Sequence, residues 1–267
     1  MRRERLEIGW YAVRPFFVYI VLFITVRSIL LRLLESVLIA MSADMTVYYS
    51  FWHDAADLLI LGIASAGAVI PLLKDGQREI MITRARSVGA WIRHRKDRRL
   101  LMGLLPAGTI SLSAFFNLLL AGQGAAGTVS PNPYILPFAA AVYGFLTPFV
   151  EELVYRGIVW HRLRRGFSPL EAAFWSSLVF GAAHANLRQG LYAFVMGMVF
   201  AMSFELTRRF EVPYLLHCSC NLAVLAASAA GWGEVLAHPM WILFFGVLAA
   251  AVFGYWGKRL QETNYRL

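Results

Sequence analysis

Residues 147–160 read TPFVEELVYRGIVW, an apolar run that is interrupted by Glu151, Glu152 and Arg156. Together with the apolar residues before it, this run is typical of a helix that crosses a membrane. Each charge near the centre of a bilayer costs about 3 kcal/mol or more. Because ionisable groups in such a place usually act on a substrate or an ion, the three charges indicate a functional site within a membrane helix.

The composition is that of a membrane protein. Hydrophobic residues make up 59% of the chain and charged residues only 15%, whereas about a quarter of the residues in soluble domains are charged. The net charge of +9 would also suit a nucleic-acid-binding protein, but that function needs a basic face on a soluble domain. Since the cations here lie between apolar runs, we expect the lipid bilayer as a partner, and no nucleic acid.

Eight apolar segments are predicted to be membrane helices. They are residues 15–40, 58–73, 100–121, 134–160, 168–184, 190–206, 214–230 and 240–256. The fifth begins at a helix-start signal, with Ser168 as the N-cap, Pro169 in the first position and Glu171 in the third. The prediction is an all-α, polytopic membrane helix bundle with about eight transmembrane helices.

The basic residues predict the orientation of this bundle. With both termini cytoplasmic, five basic clusters fall on the cytoplasmic side: the amino terminus, 74–99, 161–165, 208–209 and 258–259. The opposite loops then contain a single cation, Arg188, in agreement with the preference of Lys and Arg for the cytoplasm. The segment 74–99 is the most basic, and it is predicted as a cytoplasmic loop that could rest on anionic lipid as an amphipathic helix.

Three regions follow from this layout. Residues 1–133 contain the N-terminal transmembrane helices and the basic loop 74–99, and residues 231–267 contain the C-terminal transmembrane helix and a short tail. Residues 134–230 are predicted to form the functional core, because the polar residues inside apolar segments are concentrated there.

Polar residues interrupt two further apolar segments. His184 closes the fifth segment, and His217 and Asn221 lie in the seventh. At about 100° per residue, His217 and Asn221 face the same side of one helix. Three helices can therefore bring Glu, His, His and Asn together, where Glu or His could deprotonate a water molecule and Asn or His could stabilise an oxyanion.

Spacing separates the roles of the two glutamates. Glu152 and Arg156 are four residues apart with the acid first, which is the favourable orientation for an ion pair within a helix. Glu151 is rotated by about 100° and has no local counter-charge. We therefore predict structural support from Glu152 and Arg156, and chemistry from Glu151.

Each of these residues also has a plainer interpretation. A lone histidine in a membrane helix more often hydrogen-bonds a neighbouring helix than catalyses a reaction, and Asn221 could equally hold two helices together. His161, at the start of the basic cluster 161–165, is interpreted as solvated. The combination of motifs, and no single residue, favours a functional site.

The order of the motifs resembles a known family. E-E-x-x-x-R, F-x-x-x-H and H-x-x-x-N follow one another on apolar segments, and this pattern resembles the CPBP family of intramembrane proteases. That family includes the type II CAAX prenyl endopeptidases and bacterial members related to abortive infection or bacteriocin immunity. The resemblance covers residues 134–225. The matching residues are Glu151, Glu152, Arg156, Phe180, His184, His217 and Asn221.

The resemblance implies a fold and an activity. It implies an eight-helix bundle with an active-site cavity inside the membrane, open to the cytoplasm. The reaction would be hydrolysis of a peptide bond near the carboxyl end of a membrane-anchored protein or peptide, prenylated or carrying a sorting signal. Glu151 and His184 would activate the water, and His217 and Asn221 would form the oxyanion site. The expected location is a bacterial inner membrane, as a multi-pass protein, and the oligomeric state is left open.

The cofactor is left open between none and zinc. Glu151, His184 and His217 have the composition of a catalytic zinc set. The sequence lacks H-E-x-x-H, in which one helix turn supplies two ligands and the base, and the eukaryotic relatives resemble glutamate-dependent enzymes. The prediction is therefore an intramembrane protease, either of the glutamate type or a zinc metalloprotease.

Two other classes of protein fit the same residues. A small-molecule transporter also keeps carboxylates and histidines inside a bundle, and a catalytically inactive relative could act as an immunity or scaffold protein. The shared site also requires three residues to lie at one depth. Counted along their segments, Glu151 lies about 14 Å, His217 about 5 Å and His184 about 22 Å from the cytoplasmic end.

Overall fold

The structure is a computed structural model that describes residues 2–86, 95–121, 134–184, 186–236 and 238–262. Every regular element in these ranges is helical, which confirms the all-α prediction. Residues 87–94 of the predicted basic loop lie outside the described residues.

Nine long helices form the described part of the fold. They are α1 (Arg2–Ala40), α2 (His53–Val69), α3 (Leu73–Arg86), α4 (Arg95–Ala121), α5 (Leu136–Leu163), α6 (Pro169–Ala182), α7 (Leu187–Thr207), α8 (Glu211–Ala229) and α9 (Pro239–Glu262). Shorter helical turns stand before α2 (Met45–Val47 and Tyr48–Trp52), between α2 and α3 (Ile70–Leu72) and before α9 (Gly233–Leu236).

Seven helical segments of the described chain, and not the expected eight, are long and apolar enough to cross a membrane. The predicted span 168–184 is not among these seven. Its helix, α6, has 14 residues and covers about 21 Å, whereas the apolar core of a bilayer is about 30 Å thick. The multi-pass membrane character is confirmed, while the cytoplasmic location of the termini and the bacterial inner membrane stay predictions.

The motif-bearing helix α5 lies at the centre of the bundle. It packs against α1, α2, α3, α6, α7 and α8, and every residue from Glu152 to Leu163 is buried. The helix widens into two π-helical segments, Ala140–Leu146 and Leu153–Trp160, on either side of Glu151 and Glu152. Such segments within a helix are frequent at functional sites.

Ion pairs join the carboxyl end of α5 to its neighbours. Arg162 Nη2 donates to Asp75 Oδ2 at 2.6 Å, and Arg165 Nη2, in the turn after α5, donates to Glu79 Oε1 at 2.6 Å, so that both pairs link this end of α5 to α3. A third pair links the same region to α7. The cations of the cluster 161–165 therefore bind acidic side chains within the protein, which their basic sequence context did not predict.

His161 is buried, and the prediction that it is solvated is wrong. Its Nδ1 donates to the carbonyl oxygen of Arg156 at 2.8 Å, and its ring packs against Trp160 and Phe204. The reason is that α5 continues to Leu163, so His161 still lies inside the bundle.

The start of α6 agrees with its sequence signal. Ser168 Oγ accepts from the backbone N–H of Glu171 at 3.3 Å, and Glu171 Oε2 accepts from the backbone N–H of Ser168 at 2.9 Å. Arg5 Nη2 of α1 donates to Glu171 Oε1 at 2.7 Å. The capping box therefore also attaches the first turn of α1 to the start of α6.

Candidate active site

Glu152 and Arg156 form the ion pair that their spacing predicts. Arg156 Nη1 donates to Glu152 Oε1 at 2.9 Å, and both side chains are fully buried. Arg156 Nη2 also donates to the carbonyl oxygen of Gly197 on α7 at 3.1 Å. Buried charges need such partners because removing them from water is otherwise too costly. The pair therefore stabilises the contact between α5 and α7.

Aromatic rings surround the Arg156 guanidinium. Its central carbon lies 4.7 Å from the ring centre of Phe180 and 5.4 Å from that of Phe200. The faces of aromatic rings attract cations, and more strongly where water is excluded. Since Phe180 belongs to α6 and Phe200 to α7, the guanidinium holds three helices together.

His217 lies between the two glutamates. Its Nδ1 is 2.9 Å from Glu152 Oε1, and its Nε2 is 3.6 Å from Glu151 Oε2. An ionised carboxylate can only accept a hydrogen bond. The hydrogen between Glu152 and His217 is therefore carried by Nδ1 of His217. The second nitrogen, Nε2, then faces Glu151. Glu152 therefore orients the imidazole towards the other carboxylate.

The turn after α6 brings His184 to the same site. Its Nδ1 donates to the carbonyl oxygen of Phe180 at 3.0 Å, which leaves Nε2 as the acceptor nitrogen of the neutral ring. His184 interacts electrostatically with Glu151. The rings of His184 and His217 lie 5.1 Å and 6.0 Å from the ring of Phe180. The structure thus places both histidines against Phe180 and near Glu151.

Glu151 and His184 interact electrostatically, although they lie at different distances along their helices. Because α5 continues to Leu163, Glu151 lies about 18 Å from its carboxyl end, and His184 lies about 22 Å from the start of α6. The α6 and α7 backbones also touch at Gly181 and Gly190, since a Cβ on Gly181 would lie 2.6 Å from the Gly190 carbonyl oxygen. This contact sets the position of the turn that carries His184.

Asn221 lies on the predicted side of α8, but its amide group binds the protein itself. Asn221 Nδ2 donates to the carbonyl oxygen of Tyr143 on α5 at 2.8 Å. One of the two amide hydrogens is therefore engaged. The expected role of Asn221 as an oxyanion donor stays a prediction.

Two tyrosines that the sequence did not indicate also lie near Glu151. Tyr19 of α1 and Tyr155 of α5 are buried, and both interact electrostatically with Glu151. Tyr155 follows Glu151 by four residues, so its place on the same helix face could have been read from spacing. Tyr19 has no such signal, because α1 reaches Glu151 only through tertiary packing.

Glu151 is the accessible member of the glutamate pair. Its side chain is 18% exposed, whereas that of Glu152 is fully buried. Across the described part of the chain, no three His, Cys, Asp or Glu side chains converge closely enough to hold a metal ion. As placed, Glu151, His184 and His217 do not form a ready zinc site, and the choice between zinc and no cofactor stays a prediction.

The part of the chain that carries the motifs matches a family. Residues 133–223 match the family model described as type II CAAX prenyl endopeptidase Rce1-like. This range contains all four predicted catalytic residues, Glu151, His184, His217 and Asn221. The resemblance expected from the motifs is therefore confirmed over this segment.

One curated protein shows a similarity of the same kind. Over 90 residues the chain is 31% identical to the "Putative membrane peptidase YdiL" of Bacillus subtilis (strain 168), covering 34% of this chain and 37% of that protein. The chain thus matches little more than a third of that relative's length. No solved structure matches the chain. The family match supports a protease of the CAAX type and the relative's name a membrane peptidase, and neither distinguishes a glutamate from a zinc mechanism.

Proposed function

We propose that the chain is an intramembrane endopeptidase that hydrolyses a peptide bond near the carboxyl end of a membrane-anchored protein or peptide. One observation carries the proposal: His217 lies between the buried Glu152, 2.9 Å from Nδ1, and the accessible Glu151, 3.6 Å from Nε2. Hydrolysis by a general base needs such a carboxylate, an oriented imidazole and access to water. The similarity to type II CAAX prenyl endopeptidases supports the substrate class.

Glu151 is the general base of the proposed reaction. Its carboxylate accepts a proton from a water molecule that also hydrogen-bonds to Nε2 of His184. The hydroxide adds to the carbonyl carbon of the substrate, and Glu151 then passes its proton to the amine nitrogen as the C–N bond breaks. The products are a carboxylic acid and an amine, and Glu151 returns to the ionised form.

His217 stabilises the charge that develops on the carbonyl oxygen. In the doubly protonated ring, Nδ1–H donates to Glu152 and Nε2–H points towards Glu151 and the substrate. Arg156 donates a 2.9 Å hydrogen bond to the same oxygen of Glu152, and a hydrogen bond between an imidazolium and a carboxylate is charge-assisted and strong. Donors that are held in place by the protein stabilise an oxyanion better than mobile water does.

The depth of the site favours a membrane-anchored substrate. Measured along α5 from Leu163, Glu151 lies about 18 Å inside the bundle, roughly half the thickness of a bilayer core. A soluble peptide would have to leave water to reach this depth. A chain with a prenyl group or an apolar tail already lies there, so its scissile bond needs only to enter the bundle.

Cleavage by purified variants tests the proposal. The protein is reconstituted in lipid nanodiscs with a panel of farnesylated peptides and of unmodified peptides with apolar tails. We expect the wild type to cleave members of the panel, and Glu151→Gln and His184→Ala to lose about a hundredfold or more in rate. Glu35→Gln, at an exposed glutamate of α1, is the matched control and should keep its activity. Cleavage that survives Glu151→Gln would exclude the mechanism.

A chelator in the same assay decides the cofactor. If the glutamate mechanism holds, the cleavage rate stays the same after treatment with a zinc chelator. A loss of activity that added Zn²⁺ restores would instead show a zinc enzyme. A transporter or an inactive scaffold protein predicts that the wild type cleaves no peptide in the panel.

A further inference from the structure

The π-helical segment Ala140–Leu146 leaves one carbonyl group without a helical partner. The backbone N–H of Thr147 donates to the carbonyl oxygen of Val142, five residues back. Pro148, which follows, has no N–H to donate. The carbonyl oxygen of Tyr143 therefore lacks both the donor four residues ahead and the donor five residues ahead.

Asn221 supplies the missing hydrogen bond. Its Nδ2 donates to the carbonyl oxygen of Tyr143 at 2.8 Å. The hydroxyl group of Thr147 is a second nearby donor, but it is buried and makes no hydrogen bond within the described chain. Since an unpaired backbone carbonyl is especially unfavourable inside a membrane, Asn221 stabilises the π-helical form of this segment.

The same segment packs closely against α8. A Cβ on Gly144 would lie 2.5 Å from Cδ2 of Leu222, a distance that real Cβ atoms do not show. Gly144 follows Tyr143, and Leu222 follows Asn221, so the close contact and the hydrogen bond are adjacent. The two helices are therefore docked at a defined point.

We propose that Asn221 is a positioning residue that holds the π-helical segment and thereby sets the place of Glu151 relative to His217. His217 binds α5 at Glu152, and Asn221, one turn further along α8, binds α5 at Tyr143. The two hydrogen bonds attach α5 to α8 at Tyr143 and at Glu152, on either side of the residues that lead to Glu151. Loss of the second attachment lets α5 change its helical register before Glu151, which moves the carboxylate away from Nε2 of His217.

The inference rests on the proposed function. The positioning role of Asn221 differs from the role of oxyanion donor that the motif implies. An oxyanion donor would act directly on the substrate through its amide group. A positioning residue acts through Tyr143 and Glu151, and another donor to the same carbonyl can replace it. Pro148→Ala restores a backbone N–H five residues after Tyr143 and so provides such a donor.

The experiment compares Asn221→Ala, Pro148→Ala and the double variant in nanodiscs, with Ser219→Ala, at a partly exposed position of α8, as the control. Hydrogen–deuterium exchange of residues 140–150 measures the segment without reference to any substrate. We expect faster exchange in Asn221→Ala, and near-normal exchange in the double variant, in Pro148→Ala and in Ser219→Ala. Cleavage of a panel peptide should fall about a hundredfold in Asn221→Ala and recover at least tenfold in the double variant.

Each result bears on the inference. Unchanged exchange in Asn221→Ala would overturn it, because the hydrogen bond would then not hold the segment. Restored exchange without restored cleavage in the double variant would also overturn it, and would assign the amide group to the substrate. If the wild type cleaves no peptide, the proposed function fails, and the exchange measurements still decide whether Asn221 holds the segment.

Discussion

The Glu152 carboxylate accepts a hydrogen bond from Nδ1 of His217 at 2.9 Å, although 65 residues separate the two in the chain. The same oxygen, Oε1, also accepts from Arg156. Spacing alone assigns Glu152 to structural support, and the structure adds a contact to His217, whose Nε2 lies 3.6 Å from Glu151 Oε2. Glu152 is therefore both a structural partner of Arg156 and a positioning residue for His217.

Replacing Glu152 with Gln should lower both stability and activity. The variant keeps the shape of the side chain but removes the counter-charge of Arg156, and breaking one partner of a buried ion pair costs about 3–5 kcal/mol. It also weakens the acceptor that orients His217, so we expect the cleavage rate to fall by about tenfold to a hundredfold. Thermal unfolding in detergent and peptide cleavage measure the two effects.

The double variant Glu152→Gln with Arg156→Met separates these effects. Removing both charges should restore most of the thermal stability, because no buried charge is left unpaired. His217 still lacks its carboxylate partner, so cleavage should stay low. If activity returned together with stability, the positioning role of Glu152 would be wrong.

Gly181→Ala should reduce activity more than stability. The new methyl group would lie 2.6 Å from the carbonyl oxygen of Gly190, and α6 must move away from α7 to accommodate it. That movement displaces His184, and a shift of about 1 Å at a catalytic group can cost a hundredfold in rate. Gly254→Ala, where a Cβ meets no atom within 4 Å, is the matched control for cleavage and thermal unfolding. Equal activity of the two variants would argue against this effect.

Glu171 should make the attachment of α1 to α6 dependent on pH. The hydrogen bonds from Arg5 and from the backbone of Ser168 lower the pKa of the Glu171 carboxyl to about 2 from 4.5. A pKa that is lower in the folded state stabilises the fold above pH 4.5, and this effect is lost as the pH falls towards 2. The difference in melting temperature between wild type and Glu171→Gln should therefore shrink from pH 6 to pH 3. A constant difference would contradict the prediction.

Tyr19→Phe should change catalysis without unfolding the protein. The substitution removes a hydroxyl group that lies near Glu151 and hydrogen-bonds with Ser65, and the ring keeps its packing in the bundle. We expect a change of up to about tenfold in cleavage rate, and a small drop in melting temperature from the loss of one buried hydrogen bond, worth about 1 kcal/mol. Tyr49→Phe, at an exposed tyrosine, is the control. If Tyr19→Phe and the control had equal activity, Tyr19 of α1 would have no role in the reaction.

Local rules predicted several details correctly. The spacing of Glu152 and Arg156 predicted their ion pair, and Ser168 with Glu171 predicted the capping box of α6. Both features depend on residues three or four positions apart in one helix, where backbone geometry alone determines which side chains meet. Hydropathy was less reliable for the length of α6, which has 14 residues and ends at Ala182, before the predicted end at His184.

Long-range contacts could not be predicted in the same way. His161 belongs to a basic cluster in the sequence, and it is buried because α5 extends to Leu163. The hydrogen bond of Asn221 to Tyr143 spans 78 residues, and it exists because Pro148 removes a backbone donor from a π-helical segment. Neither contact follows from periodicity, since each depends on how two helices dock.

The sequence by itself determined the helical membrane fold, the charged pair on α5 and the set of residues that resembles a protease family, because hydropathy and spacing within one helix are local properties. Only the tertiary structure decided that His217 lies between Glu151 and Glu152 and that Asn221 holds the backbone of α5. It also showed that α6 has only 14 residues and ends before His184. The physical reason is that these features arise from close packing between helices, where carbonyl groups, glycine contacts and buried charges all need partners from other parts of the chain.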